Sequence, residues 1–284
     1  MGAMDESITS KRDRILAALG DLRSAVVAFS GGVDSAVALA LAVRALGRER
    51  VLAVTARSPS VPAVEVASVA ALAEQIGAPH EFIDTEEFDD PSYLANPSNR
   101  CYFCKSELYG KLAPLAKQRG FAALLNGVNA DDLGDYRPGL QAADEHGVRA
   151  PLAEAGVSKR EVRLIAADLG LAIHDKPASP CLSSRVQYGE AITPEKLRRI
   201  DAAETLLRRL GFRELRVRHH DNLARIEVPP GEIARFADPE LRARVEAELR
   251  ALGYQYVTVD LRGFRSGSLN EALLGPALRA ALRT

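Results

Sequence analysis

Cysteine is scarce in this chain, with three in 284 residues. So few thiols cannot form a disulfide framework, and each needs another explanation. Net charge is also nearly absent. A balance of −1 gives no global attraction to nucleic acid or anionic lipid, and only 5% of residues are aromatic. Both features argue against nucleic acid as a partner. Long apolar runs are missing too. Segments such as 36–43 fall far short of the roughly 20 residues a membrane helix requires. The opening Met1-Gly2-Ala3-Met4-Asp5-Glu6 has neither the basic nor the apolar region of a signal peptide, which points to a cytoplasmic protein. There is no internal repeat and no low-complexity tract. Finally, no stretch matches the common mononucleotide loop, in which a Lys-Ser/Thr pair follows a glycine across a fixed gap.

What is present is an ordinary soluble composition, 47% hydrophobic and 26% charged, long enough for one large domain or two medium ones. The most informative segment is Val26–Ser35. An apolar strand runs into Ser30-Gly31-Gly32-Val33-Asp34-Ser35, and an Ala/Leu-rich helix follows at once. Glycines let the backbone wrap an oxyanion, and successive amides at a helix start face the same point. Ser30 and Ser35 add hydroxyls. Asp34 is the candidate to hold a magnesium-bound water or position a nucleotide. The plain alternative is a strand–turn–helix junction that needs glycine only for geometry. The hexapeptide resembles the signature of the PP-loop ATP pyrophosphatases, which imply ATP as substrate and pyrophosphate as leaving group.

Strand and helix alternate through the first part. Helices are expected near 7–19, 35–46, 62–77 and 101–118, and strands at 24–29, 51–55, 80–83 and 122–126. Such alternation predicts an α/β fold with a parallel sheet covered on both faces, the ligand lying beyond the carboxyl ends of the strands. There the loops at Ser30–Ser35, Thr55–Ser58 and Asn126–Asp132 converge, adding Thr55 and Gly127 to the nucleotide candidates. Ser158-Lys159-Arg160-Glu161 is a capping box opening a helix that ends at Gly170. The Pro-rich stretch 176–185 is the expected boundary between a domain of residues 1–180 and a smaller α+β domain of 181–284. In the second domain, helices are expected from Thr193-Pro194 and Asp238-Pro239, a hairpin around Asp221-Asn222, and a last strand at 254–261.

Cys101 and Cys104 stand three residues apart, so on a helix they share one face. Two thiols are too few to close a zinc or iron–sulfur site, and Cys181 is the available third. Partly buried inert thiols, a redox dithiol and a zinc site completed by histidine are the alternatives. Cys181 lies beside Ser183, Ser184 and Arg185, whose hydroxyls and cation favour a reactive thiolate.

Five segments occur in a telling order. They are the Ser30–Ser35 loop, Asn126-Gly127-x-Asn129-x-Asp131-Asp132, Asp135-Tyr136-Arg137-Pro138-Gly139, Pro180–Arg185, and Gly263-Phe264-Arg265-Ser266-Gly267-Ser268-x-Asn270. Together they resemble the LarE family of ATP-dependent sulfur transferases over nearly the whole chain. The resemblance implies a mononucleotide substrate, pyridinium-3,5-biscarboxylic acid mononucleotide, whose carboxylates are adenylylated and become thiocarboxylates in nickel-pincer cofactor biosynthesis for lactate racemase. In one branch the cysteine at the position of Cys181 sacrifices its sulfur. In the other, three cysteines hold a 4Fe–4S cluster with an iron open to an exogenous sulfide. The three-cysteine pattern of Cys101, Cys104 and Cys181 favours the cluster, fed by a sulfide donor that the sequence does not identify. The resemblance also implies homo-oligomers.

In the second domain, period two puts Arg216, Arg218 and His220 on one strand face, and Arg225 and Glu227 on one face of its partner. Paired arginines suit a monoester phosphate, and a solvated sheet face is the alternative. Glu204 falls within the apolar stripe of its helix, where a carboxylate is costly. By resemblance Glu204 and Glu227 are metal candidates, and Ser184, Arg185, Arg216, Arg218 and Arg265 are phosphate candidates. Adjacent strand histidines, His219 and His220, point to opposite faces. Three rivals stand beside this reading. An ammonia-using PP-loop synthetase has no need of the three cysteines. A tRNA-thiolating enzyme should show a basic surface. A nucleotide-sensing module would hold structural zinc.

Overall fold

In the computed structural model of the protein, residues 2–134, 137–177 and 179–265 are described, the first six by backbone alone. Asp135, Tyr136 and Ser266–Asn270, which carry parts of two of the sequence segments above, lie outside the described residues. The chain divides into two units. The first comprises residues 1–90 and 99–179, and the second comprises 91–98 and 180–284.

The first unit opens with α1 (Gly2–Gly20), β1 (Ala25–Ala28), α2 (Val33–Leu46), β2 (Val51–Arg57), α3 (Ala63–Ile76) and β3 (His80–Asp84). Helix α4 (Pro91–Leu94) belongs to the second unit. The first then resumes with α5 (Arg100–Gln118), β4 (Ala123–Leu125), α6 (Gly139–Glu145), α7 (Pro151–Glu154) and α8 (Lys159–Asp168). The four strands form a parallel sheet in the order β3-β2-β1-β4. Strand β1 is apolar throughout because both its faces are covered. Ala25 and Val27 pack into a cluster with Ile15, Leu19, Val37, Leu41 and Ile165, while Val26 packs with Leu108, Leu112 and Ala143 on the other side.

The strand order fixes where a ligand can sit. From β1 the chain moves outward to β2 and β3, then returns past β1 to β4. The carboxyl ends of β1 and β4 therefore flank a topological switch point, where open α/β sheets bind ligands. The loop 30–32 leaves β1 there, and Asn126-Gly127 leaves β4. Alternation predicts the parallel sheet, but not this order.

The second unit contains α9 (Pro194–Arg209), β5 (Arg216–His220), β6 (Leu223–Glu227), α10 (Pro239–Ala251) and β7 (Tyr256–Val259). Strands β5 and β6 are antiparallel around Asp221, at φ 53°, and Asn222. Strand β7 joins β6 in parallel. Leu207 of α9, Val217, Ile226 and Leu249 share a core with Phe212 and Tyr254. Residues 91–98, which the sequence reading leaves inside the first domain, are stitched to this unit. Asn96 Nδ2 donates to the carbonyls of Gln187 (2.6 Å) and Glu190 (3.1 Å), and Tyr93 Oη lies 2.7 Å from Ser183 Oγ. The last strand is shorter than expected, and Leu261 beyond it is exposed. Among the described residues no helix is long and apolar enough to cross a membrane.

Glu204 is the unusual feature of this core. It is fully buried on α9, in the apolar stripe where its sequence position placed it. Its Oε1 accepts from Arg185 Nε (2.8 Å) and Val217 N (3.1 Å), and its Oε2 from Arg185 Nη2 and Arg208 Nη2 (both 2.9 Å). Burial alone would raise the carboxyl, but Arg185, with Arg216 and Arg208, holds it below its ordinary value of 4.5. A carboxyl titrating lower in the folded than in the unfolded state adds stability above the unfolded value and loses it as pH falls through the folded one. Denaturant titrations from pH 7 to 3 should therefore show the second unit weakening below about pH 4. Glu204→Gln, which strands the Arg185 charge, should cost about 3–5 kcal/mol at neutral pH and flatten that dependence.

Candidate active site

The loop after β1 is built from its own hydroxyls. Ser35 Oγ accepts from Ser30 N (3.2 Å), lies 3.1 Å from Ser30 Oγ and donates to Gly32 O (3.0 Å). Gly31 has φ 73°, a left-handed conformation open to glycine at little cost. Helix α2 starts immediately afterwards with Gly32 as its N-cap and no side-chain cap, so its first-turn amides and positive dipole end lack a capping acceptor. Gly127, at the end of β4, presses against the same turn. A Cβ there would lie 2.5 Å from Ser35 N and 2.7 Å from Asp34 C. Ser30, Gly31, Gly32, Asp34, Ser35 and Gly127 are thus brought together as expected.

Thr55 is placed differently. Its hydroxyl donates to Phe29 O (2.6 Å) and lies 2.8 Å from His80 Nε2, bracing the ends of three strands. Burial lowers His80, against the opposing effect of Glu81, so the imidazole is neutral at physiological pH.

Two lysines that sequence reading assigned no role in the site reach the loop. Lys159 Nζ pairs with Asp34 Oδ2, and Asn129 Nδ2 donates to Asp34 Oδ1 (3.1 Å). The Lys159 amide donates to Asp131 Oδ2 (2.9 Å), and the Asp131 amide to Asn129 Oδ1 (3.0 Å). Lys176 Nζ donates to Gly31 O (3.3 Å) and to Glu65 Oε2 (2.6 Å). Lys159 lay hidden inside the capping box, which the structure contains as expected around Ser158 and Glu161. The available signal was a cation at the first helical residue, where the dipole disfavours one.

Cys101 and Cys104 lie in the first turns of α5, one exposed and the other half-buried. Cys181, half-buried, opens the short turn Leu182–Arg185 of the second unit. All three are thiols. Among the described residues no group of three or more His, Cys, Asp or Glu is gathered as a metal site.

On the second unit, the expected face of β5 and β6 is present. Arg216 stands opposite Glu227, and Arg218 opposite Arg225. Arg218 is buried, donating to Glu227 Oε2 (3.0 Å) and Ser184 O (2.7 Å). Arg225 bridges Glu227 Oε1 (3.2 Å) and Asp260 Oδ2 (3.0 Å). Arg265 donates to Gly263 O and lies 3.9 Å from Asp260. His219 faces inward, 3.3 Å from Tyr254 Oη, while His220 lies half-buried.

Two of the expected residues are engaged within the protein itself. Arg185, expected on a phosphate, is fully buried. Besides Glu204, it donates through Nη1 to Pro180 O (2.6 Å), Cys181 O (3.0 Å) and Ser184 Oγ (3.0 Å). Glu204, expected on a metal, already accepts four hydrogen bonds, which fills its lone-pair directions. The two hold each other. Arg216 remains a strong anion candidate. It is buried over the Phe264 ring at 5.0 Å. Burial, with Arg185 and other arginines beside it, lowers it to about 10, so it stays charged at neutral pH.

An uncapped helix start, a glycine-gated loop and a parallel-sheet switch point define a nucleotide-binding enzyme of the PP-loop class. Comparison with known proteins agrees, since the NAD synthase family model matches residues 14–95. An uncharacterised protein of Synechocystis is 50% identical over 266 residues, 94% of this chain and 99% of that protein. The pyridinium-3,5-bisthiocarboxylic acid mononucleotide synthase of Lactiplantibacillus plantarum is 40% identical over 267 residues, covering 94% and 96%. A tRNA-specific 2-thiouridylase of a Caulobacter species is 29% identical over 218 residues, 63% of this chain and 52% of that enzyme. The chain belongs to the LarE family of ATP-dependent sulfur transferases.

Gly127→Ala tests the cradle. The added methyl overlaps backbone atoms, so the variant should lose about 1–3 kcal/mol of stability. Its ATP affinity, followed by calorimetry at a temperature where the variant is still folded, should fall at least about tenfold, because the loop must move by more than its amides can tolerate.

Proposed function

We propose that the chain uses ATP to convert the carboxylates of pyridinium-3,5-biscarboxylic acid mononucleotide into thiocarboxylates in nickel-pincer cofactor biosynthesis. The observation that carries this reading is its 40% identity, nearly end to end, to a synthase of the bisthiocarboxylic product. A carboxylate resists nucleophiles until one of its oxygens becomes a leaving group. Its oxygen attacks the α-phosphorus, the bond to pyrophosphate breaks, and a sulfur nucleophile then displaces AMP from the acyl adenylate. The loop amides with Ser30 and Ser35 would receive the phosphates, and Asp34 a magnesium-bound water. We assign this activation to residues 1–180. Recognition of the substrate's phosphate, and homo-oligomerisation, we assign to 181–284. Arg216 leads the phosphate set, with Arg218, Ser184 and Arg265. Arg185 is proposed as a further member of this set, and Glu204 and Glu227, which fix the arginines, as the carboxylates for a divalent metal.

For the sulfur, Cys101, Cys104 and Cys181 would hold a 4Fe–4S cluster. The support for this is the presence of three thiols, two of them one turn apart on one helix face. When bound, the cluster would supply an iron at which exogenous sulfide is delivered. The likeness to a thiouridylase is shorter and weaker, and the chain's net charge of −1 offers no attraction for tRNA.

Protein purified without oxygen should contain about four irons per chain, lost in Cys101→Ala, and should turn over repeatedly with sulfide and ATP. Absence of iron after reconstitution, with a single turnover and loss of the elements of hydrogen sulfide from Cys181, would replace the cluster by a sacrificed cysteine. Failure to convert the mononucleotide at all would remove the whole reading.

A further inference from the structure

We propose that Tyr93 is a positioning residue for sulfur transfer. Through its hydrogen bond to Ser183 it sets the direction in which the turn beginning at Cys181 presents its thiol. This inference rests on Cys181 serving the sulfur step of the proposed reaction, whether it holds the cluster or gives up its own sulfur.

The turn is too short to hold itself. Leu182–Arg185 is a single turn of 3₁₀ geometry, with Ser184 N donating to Cys181 O (3.0 Å) and Val186 N to Ser183 O (3.2 Å). At three residues per turn, side chains fall along three lines. Leu182 and Arg185 share one line, and both are buried. Cys181, which caps the turn, and Ser184 share another, and both stay partly exposed. Ser183 occupies the third and is fully buried. The pairing of Arg185 with Glu204 therefore anchors one line, about which the turn is still free to rock. Anchoring Ser183 as well removes that freedom and fixes the way the Cys181 side faces.

The second anchor is Tyr93 on α4. Its Oη lies 2.7 Å from Ser183 Oγ, and both residues are buried. A phenylalanine would fill the same space. A buried hydroxyl is costly unless it is bonded, so the bond to Ser183 accounts for a tyrosine here. Tyr93 is itself held in place. Asn96, fully buried at φ 51°, donates through Nδ2 to Gln187 O (2.6 Å) and Glu190 O (3.1 Å). Gly189 N donates to Asn96 O and Ile192 N to Leu94 O, both at 2.9 Å. A non-glycine residue in the left-handed region persists only where its surroundings keep it there. The support behind Tyr93 is thus tied to the stretch just downstream of the turn it steadies. Tyr93 and Ser183 both belong to the second unit, whereas ATP activation is assigned to the first. A loosened turn slows the meeting of sulfur with the acyl adenylate and leaves formation of the adenylate alone.

The test compares Tyr93→Phe, Ser183→Ala and the double variant with wild type. It reads mononucleotide-dependent exchange of labelled pyrophosphate into ATP, thiocarboxylate formation, and the rate at which iodoacetamide labels Cys181 in iron-free protein, followed by mass spectrometry. Exchange should stay within about twofold of wild type in every variant. Thiocarboxylate formation should fall about tenfold or more, because a misplaced reacting group loses its proximity. Labelling of Cys181 should rise about fivefold, the extra local opening that one lost hydrogen bond permits. The double variant should be no worse than either single one, since both remove the same bond. If Tyr93→Phe loses its thermal transition, Ser183→Ala decides. Unchanged labelling and thiocarboxylate formation in Ser183→Ala overturn the role, and so do losses that simply add in the double variant. An equal fall in exchange and in thiocarboxylate formation makes the contact merely structural and overturns it too. If wild type forms no thiocarboxylate, the proposed function falls and takes this role with it, an outcome read before any variant is compared.

Discussion

The pair between Arg185 and Glu204 is the constraint on which the second unit is built. Both side chains are fully buried, and a charge removed from water is tolerated only when it is paired and hydrogen-bonded in full. The consequence reaches well beyond the two residues. Arg185 Nη1 gathers the carbonyls of Pro180 and Cys181, so the Cys181 turn takes its path from a guanidinium that cannot move. Glu204 in turn accepts from the Val217 amide, which sets the start of β5 against α9. The following Arg218 then reaches back to Ser184 O. The main chain of a cysteine on a proline-rich segment with little secondary structure is thereby tied to a buried side chain.

The first unit meets a different demand. Its loop has to take up a polyanion and release pyrophosphate, so its charges must exchange partners. The ion pairs at Asp34 and Glu65 have partly exposed members, unlike Arg185 and Glu204. Rigidity is supplied instead by the neutral framework. Gly127 against the Ser35 turn, Thr55 between Phe29 and His80, and β1 covered on both faces hold the backbone amides in place while the charged groups stay free to move. Preorganised dipoles with exchangeable counter-ions suit a site whose substrate and product carry different charges.

Much of this was legible in the chain because it is local. The Ser30–Ser35 loop, the Ser158–Glu161 capping box and the Asp221-Asn222 hairpin each declare themselves within a few residues. Period two placed Arg216 and Arg218 on one face, and the register confirms that neighbourhood. Glu204 was legible as an anomaly, a carboxylate in an apolar stripe, although its partner was not. What escaped was non-local. Lys159 meets Asp34 across 125 residues, and Asn96 meets Gln187 across 91. No periodicity encodes those meetings, which depend on strand order and on a short segment, 91–98, lodging in the other unit.

Arg185 and Glu204 show how much residue type alone leaves open in such sites. An arginine beside a reactive cysteine reads as an anion binder, and a buried carboxylate reads as a metal ligand. Each reading leaves the other charge uncompensated. Placing both in a dry core makes their mutual pairing the only arrangement that satisfies all their donors and acceptors, and the four hydrogen bonds on Glu204 are that solution. Arg216, beside the pair, is lowered to about 10 by burial and by the neighbouring guanidiniums, and it keeps its charge at neutral pH. The buried pair therefore shapes the loop that carries Cys181.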